Sequence, residues 1–428
     1  NVIQVDEDVT IEDFDIFEKY LVLFLHKGGL PMIFSLDMSL LVDLKDGKQL
    51  EDLNSWLLPM PADTYVVIPG SNNDFDSSVF RAVISSPVMP EAIVDYDLSR
   101  RKLTLLQQEE VLGVSSNAGK SHSLMNASKT SQSIEIPEIL SMKACNEAEE
   151  VQAWSDFTDI YHCERKEVFS HDAVKIPLTI IRSQKAKQDG TNAGIIHGYG
   201  AYGEVLDKRW CSDHMSLLDR GCTIAYADVR GGGGGGNSWH NAGKGLQKTN
   251  SIYDFIACSK YLVEEGYVHK NLLGAKGISA GGLLVAAAVN MCPGLYRTII
   301  LKVPFLDVCN TLLDPSLPLT VLDYEEFGDP RNLADFSTIK SYSPYDNIQK
   351  GVCYPAMLVT ASFHDSRVGF WEAVKWVAKV RDYTVPNCSQ HILLKTNMNA
   401  GHFGEGGRYG HCKETAFEYA FFLKMMEL

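Results

Sequence analysis

From about Tyr161 onward, short apolar runs alternate with amphipathic segments, and no other feature restricts the fold as strongly. The runs occupy 194–197, 223–229, 272–277, 298–303, 357–361 and 391–396. Helical segments fall between them, for example 252–265 and 370–383, where Trp371, Val374 and Ala378 recur at helical spacing. Parallel strands need a crossover, and a helix is the usual one, so this alternation specifies a mostly parallel sheet with helices on both faces. Residues 158–428 are therefore read as one α/β domain.

Residues 1–111 obey a different rule. Short strands at 20–25, 32–36, 65–68, 79–85 and 92–96 are separated by turns, and those between Phe80 and Tyr96 alternate around Ser85-Ser86-Pro87 as a meander does. This part is all-β. Residues 112–157 form a polar insertion or linker that ends in a last segment of the β region; the stretch 113–133 is rich in Ser, Asn and Lys without periodicity. A chain of 428 residues exceeds what one core usually organises, which agrees with two domains.

Composition removes several classes of function. With 45% hydrophobic and 22% charged residues the chain is globular, and no stretch approaches 18 uninterrupted apolar residues, which argues against a membrane span. A net charge of −15 disfavours nucleic acid as a partner, because phosphate binding needs clustered Lys and Arg. The ten cysteines include no C-x-x-C pair, so neither zinc nor a dithiol centre is expected. Reduced core thiols in a reducing, cytoplasmic compartment are the default. No cofactor is called for.

The chemistry concentrates in Gly277-Ile278-Ser279-Ala280-Gly281-Gly282, which follows an apolar strand and precedes the helix former Leu283-Leu284-Val285-Ala286-Ala287-Ala288-Val289. A G-x-S-x-G between strand and helix makes a nucleophile elbow, whose glycines permit a turn that side chains would block. Ser279 Oγ then stands at the helix N-terminus, and the Ala280 amide faces the oxyanion formed on attack. The partners of such a serine follow in the order acid, then His. Asp365 lies just after the run 357–361, and His402 just after 391–396. Asp307, His364, His391 and His411 are the rivals on position. After the run 194–197 comes Gly198-Tyr199-Gly200-Ala201-Tyr202-Gly203, where a second oxyanion donor is expected; the Tyr199 phenol is the candidate, against a plain glycine turn with two packed tyrosines. The glycine run after Arg230 lacks the lysine of a phosphate loop and reads as a flexible loop near the site.

Together with Asp228-Val229-Arg230-Gly231-Gly232-Gly233, Val303-Pro304-Phe305-Leu306-Asp307, His364-Asp365-Ser366-Arg367-Val368 and Ala400-Gly401-His402, these motifs resemble the prolyl oligopeptidase family. The stretches Pro318-Leu319-Thr320 to Glu325-Glu326-Phe327-Gly328 and Ser343-Pro344-Tyr345-Asp346-Asn347 resemble its oligopeptidase B branch, with a plant-type character in the glycine loop. The resemblance implies an α/β-hydrolase domain preceded by a β-propeller, and a cytosolic serine endopeptidase for short peptides. It implies Tyr199 and Ala280 as the oxyanion hole and Arg367 as a contact to the substrate backbone. It also implies Tyr202, Asp323 and Glu325 as substrate-binding, the two acids taking a basic side chain, with Asp323 shorter than the usual Glu. If that segment is helical, Asp323 and Glu326 share a face and Glu325 points away; a solvated acidic helix start is the plain alternative. At the next subsite Asp207 keeps one acidic position while Arg209 occupies the other.

A propeller blade needs about 40–45 residues and a closed propeller at least four blades, so residues 1–111 supply only two or three. With Asn1 in place of an initiator Met, the expectation is an amino-terminally truncated chain with a partial propeller. The functional expectation is cleavage of short peptides after Arg or Lys through an acyl-enzyme, without metal. An ester or thioester hydrolase on the same scaffold, or a catalytically silent truncated product, are the alternatives.

Overall fold

The computed structural model describes residues 3–4, 9–40, 48–49, 55–61, 65–111, 155–386, 388, 391–404 and 406–428. The insertion expected between 113 and 133 lies outside them. The chain divides into two compact units: residues 1–160 with 207–212 and 234–236, and residues 161–206, 213–233 and 237–428.

The first unit holds two four-stranded antiparallel sheets, beside a short parallel pair of Ile3–Gln4 with Lys48–Gln49. One joins Val9–Ile16, Tyr20–Lys27, Leu30–Asp37 and Trp56–Leu57; the other joins Val66–Pro69, Val79–Ser86, Met89–Asp97 and Lys102–Gln108. The period-2 rule explains the second sheet. Phe80, Ala82 and Ile84 are buried on one face, while Arg81 points outward and pairs Asp95 at 2.7 Å across the ladder. The ring of Phe24 from the first sheet meets Phe80 edge-on at 5.5 Å, so both sheets share one apolar core. Four-stranded antiparallel sheets of this kind have the form of β-propeller blades. Arg209, in the same unit, caps Asp207 at 2.7 Å and reaches Glu91 at 3.4 Å, so the charge of Asp207 is compensated inside the unit.

The second unit holds an eight-stranded sheet: β1 (Tyr161–Phe169), β2 (Lys175–Ser183), β3 (Gly194–Gly198), β4 (Thr223–Ala227), β5 (Leu273–Ile278), β6 (Thr298–Lys302), β7 (Ala356–Ser362) and β8 (Ile392–Asn397). Their order is β1-β2-β4-β3-β5-β6-β7-β8. Strands β1, β2 and β4 pair antiparallel, and the rest pair parallel. Its helices include α1 (Thr249–Glu264), α2 (Ala280–Met291), α3 (Val308–Leu313), α4 (Thr320–Phe327), α5 (Leu333–Tyr342), α6 (Phe370–Tyr383) and α7 (Arg408–Met426). This is an α/β-hydrolase domain. Among the described residues, no helix is long and apolar enough to cross a membrane.

Burial explains why the inner strands read as unbroken apolar runs. All five residues of β4 are buried, since helices cover both faces of a parallel sheet. Helix α2 is buried on every side from Ala280 to Asn290, as its uniformly apolar sequence requires. Helix α6 corrects one detail of the sequence reading. Trp371, Val374 and Ala378 have helical spacing but are exposed, and the stripe that faces the core is Ala373, Trp376, Val377 and Val380.

The cysteines require a second correction. Cys353 and Cys388 form a disulfide with Cα atoms 5.4 Å apart, although 35 residues separate them in sequence. They lie in the loops that lead into β7 and β8, and the pairing of those strands brings the two loops together. Cys222, Cys258 and Cys309 are buried thiols as expected, whereas Cys412 is exposed.

Candidate active site

Residues Ser279, Asp365 and His402 all follow the carboxyl ends of strands in one sheet, where an open α/β sheet collects its functional loops. Ser279 stands between β5 and α2 with φ 55° and ψ −119°, a conformation that costs on the order of 1–3 kcal/mol for a residue with a side chain. Neighbouring bonds impose it. The Ser279 amide donates to the Lys302 carbonyl at 2.9 Å, and its own carbonyl accepts from Gly282 at 2.9 Å and Phe305 at 3.0 Å. A Cβ on Gly277 would run into the Gly281 carbonyl, and one on Gly281 into the Gly198 carbonyl, so both positions admit only glycine. The Ala280 amide, the first of α2, has no intrahelical acceptor and stands at the positive end of the helix dipole.

Asp365 and His402 are brought together. His402 Nδ1 lies 2.7 Å from Asp365 Oδ2, with side-chain exposures of 6% and 1%. The other carboxylate oxygen accepts the amides of Arg367 at 2.8 Å and Val368 at 2.9 Å, which fixes the carboxylate plane. Burial by itself would raise this acid. The hydrogen bonds from His402, Val368 and Arg367 outweigh it and hold Asp365 below its ordinary value. With the carboxylate on Nδ1, the tautomer that donates there leaves Nε2 as an acceptor.

Tyr199 follows β3 and is half-buried, and its ring packs so close to α2 that a Cβ on Gly281 would lie 3.3 Å from it. Burial, with a contribution from Glu204, pushes its phenol up to about 12, against the opposing charge of Arg367. It is therefore a neutral donor at physiological pH. Arg367 is exposed and lies over the Phe403 ring at 5.1 Å.

The acidic segment is helical, being α4, and helical geometry sorts its carboxylates. Asp323 and Glu326 are buried on one face, and Asp323 accepts a hydrogen bond from the Tyr202 phenol at 3.0 Å. Burial, reinforced by Glu326, raises Asp323 to about 6, while the Tyr202 bond opposes the shift. Glu325 does not join this cluster. It projects from the opposite side with a side chain 88% exposed, where Lys244 lies 3.6 Å away. The expectation that Asp323 and Glu325 converge on one cation fails because residues two apart on a helix diverge by about 200°.

Of the rivals, Asp307 stands at the N-cap position of α3 and pairs with Lys375, and His411 lies 3.5 Å from Asp213. The Arg230 loop is not loose at its start. Arg230 is buried and bonded to Asp254 at 2.7 Å and Asp172 at 2.5 Å, and Ser251 Oγ donates to its carbonyl at 2.6 Å. Sequence reasoning missed this buried polar lattice, together with Lys248, which donates to the Gly200 carbonyl at 2.5 Å. The available signal was the three-residue spacing of Lys248, Ser251 and Asp254, which puts three polar side chains on one face of the helix start.

A strained serine at a helix N-terminus, a carboxylate–imidazole pair and a neutral phenol on the turn packed against the elbow are the kinds of group that nucleophilic acyl transfer uses. The model of the prolyl oligopeptidase family matches residues 209–428, and the chain belongs to that family. Protease 2 of Moraxella lacunata is 44% identical over 250 residues, which is 58% of this chain and 36% of that protein. Dipeptidyl aminopeptidase BI of Pseudoxanthomonas mexicana is 42% identical over 252 residues, 59% of this chain and 34% of that protein. The solved structure of oligopeptidase B from Leishmania major matches with a TM-score of 0.82 at 29% identity, over all of this chain and 53% of its own. The chain thus spans about half of that solved structure, and its match covers about a third of each of the two curated relatives.

Proposed function

We propose that this chain is a serine peptidase that hydrolyses short peptides after Arg or Lys through an acyl-enzyme formed on Ser279. The observation that carries the reading is the buried Asp365–His402 pair at 2.7 Å together with the strained Ser279 at the N-terminus of α2. In the proposed cycle Ser279 Oγ attacks the scissile carbonyl carbon, and its proton passes to His402 Nε2. The Tyr199 phenol and the Ala280 amide meet the oxyanion. The C–N bond then breaks, the leaving amine takes the proton from His402, and water repeats the sequence to release the acid. Asp365 keeps the tautomer, and its negative charge stabilises the transient imidazolium of His402. Residues 158–428 are the proposed catalytic domain.

For the basic side chain we assign Asp323, oriented by Tyr202, and for the substrate backbone Arg367. Support for basic specificity comes from the buried, under-compensated Asp323 and from the likeness to an oligopeptidase B. The test is labelling with a fluorophosphonate probe and hydrolysis of an arginyl amide. Both occur in the parent chain and vanish in Ser279→Ala. Hydrolysis of a simple acyl ester with no turnover of the amide would instead assign the chain to esterases.

A further inference from the structure

Helix α1 begins just after Lys248, an ammonium 2% exposed that the proposed cycle does not use. Three of its contacts lead to the candidate site. Nζ donates to the Gly200 carbonyl at 2.5 Å, and Gly200, at φ +67°, is the residue directly after Tyr199. Nζ also lies 3.5 Å from Glu326 Oε1, whose other oxygen is 2.7 Å from His240 Nε2. Third, it lies 5.2 Å from the ring centroid of Phe327, and that ring meets Tyr202 at 5.7 Å and Phe305 at 5.4 Å, both edge-on. One buried cation thus touches both the turn that carries Tyr199 and the helix that carries Asp323.

We propose that Lys248 is a positioning residue for the acyl-transfer site: its ammonium fixes the Tyr199 turn through Gly200 and cancels Glu326, leaving Asp323 as the acid that meets a basic side chain. The proposal rests on the serine-peptidase reading above. Two features of the cluster require a cation here. A carbonyl buried in a tight turn needs a donor, and a charged donor makes a stronger bond than a neutral one. Glu326, 4% exposed, needs positive charge, because an unpaired buried carboxylate is strongly destabilising. Without Lys248 and His240, two carboxylates would compete on one face of α4, and a guanidinium would have no reason to settle at Asp323.

The arrangement is also sensitive to pH. Burial lowers Lys248 to about 8, against the upward pull of Glu326. The titratable groups facing the cluster are Glu326 and Asp323 from α4, His240, and Tyr199 and Tyr202 from the turn after β3. Both phenols are pushed up by burial and stay neutral near pH 8. As pH rises through about 8 the ammonium loses its charge, and the hold on Gly200 and on Glu326 weakens together.

The experiment compares the 428-residue chain with Lys248→Met, Lys248→Arg and the double variant Lys248→Met/Glu326→Gln. The readouts are the fluorophosphonate labelling rate and kcat and KM for matched Arg and Ala peptide amides. Lys248→Met is expected to lower kcat for both peptides by roughly 10- to 100-fold, less than deletion of an oxyanion donor, with KM for the Ala peptide little changed. The double variant removes the bare carboxylate and keeps the kcat deficit. In the parent chain kcat falls above about pH 8, and Lys248→Arg lacks that fall because a guanidinium stays charged. Wild-type kcat in Lys248→Met, or full recovery in the double variant, overturns the positioning role. Should Lys248→Met fail to fold, an equal alkaline fall in the parent and in Lys248→Arg overturns it as well. Absence of labelling in the parent chain would be a failure of the peptidase reading itself, a different result from labelling that Lys248 variants leave unchanged.

Discussion

Asp365 and Asp323 are both nearly buried carboxylates in one α/β unit, yet their surroundings drive them in opposite directions. Asp365 receives His402 and two backbone amides and is held below its ordinary value; Asp323 receives one phenol, faces Glu326 and rises to about 6. Donor count, more than depth, separates them. A carboxylate already satisfied by three donors is fit to orient an imidazole and to stay ionised while doing so. One with a single donor keeps an unmet demand for positive charge, which an incoming guanidinium can satisfy bidentately.

The largest effect expected from this contrast is at Asp365. Asp365→Asn keeps the shape and reverses the hydrogen-bond pattern at His402, so kcat should fall by about 10⁴-fold with KM little changed. Steady-state kinetics on one arginyl amide suffice, and an unchanged rate would hand the role to Asp307. Next comes Asp323→Asn, which should cost roughly 1.5–3 kcal/mol in kcat/KM for Arg peptides, or about 10- to 150-fold, and leave matched Ala peptides near the parent value. Equal losses for both peptides would make Asp323 a structural acid.

A smaller, several-fold effect follows from titration. Asp323 is ionised only above about 6, so the preference for Arg over Ala peptides should grow as pH rises through that value and vanish in Asp323→Asn. The stability signs differ as well. Between 3.8 and about 6 the folded state keeps the Asp323 proton that the unfolded chain has lost, so this group makes stability fall as pH rises through that window. Asp365 does the reverse, adding stability above its unfolded value that is lost as pH drops. Thermal melts of the two Asn variants against pH should therefore bend in opposite senses. The smallest effect is assigned to Glu325→Gln, under about twofold on either peptide, because its side chain is 88% exposed. A loss comparable to that of Asp323→Asn would mean that the helical geometry of α4 does not govern the pocket.

The alternation of apolar runs and helices was legible because it is a local, repeated pattern: six runs lie within two residues of β3 to β8 at either end. Strands β1 and β2 escaped, since an antiparallel edge with mixed burial does not read as an apolar run. The turn around Ser279 was legible for a similar reason, as glycines required by backbone contacts leave their mark in the sequence. Partners far apart in the chain left none. The joining of Cys353 to Cys388, the divergence of Glu325 from Asp323, and the meeting of Lys248 with Gly200 and Glu326 all depend on which loops and helix faces the sheet brings together. Sequence by itself determined the sheet, the serine elbow and the order of its candidate partners, because these rest on local backbone sterics and on pattern. Only the tertiary structure decided which charges are buried, paired or left with a demand, because burial and the number of donors are properties of the packed chain.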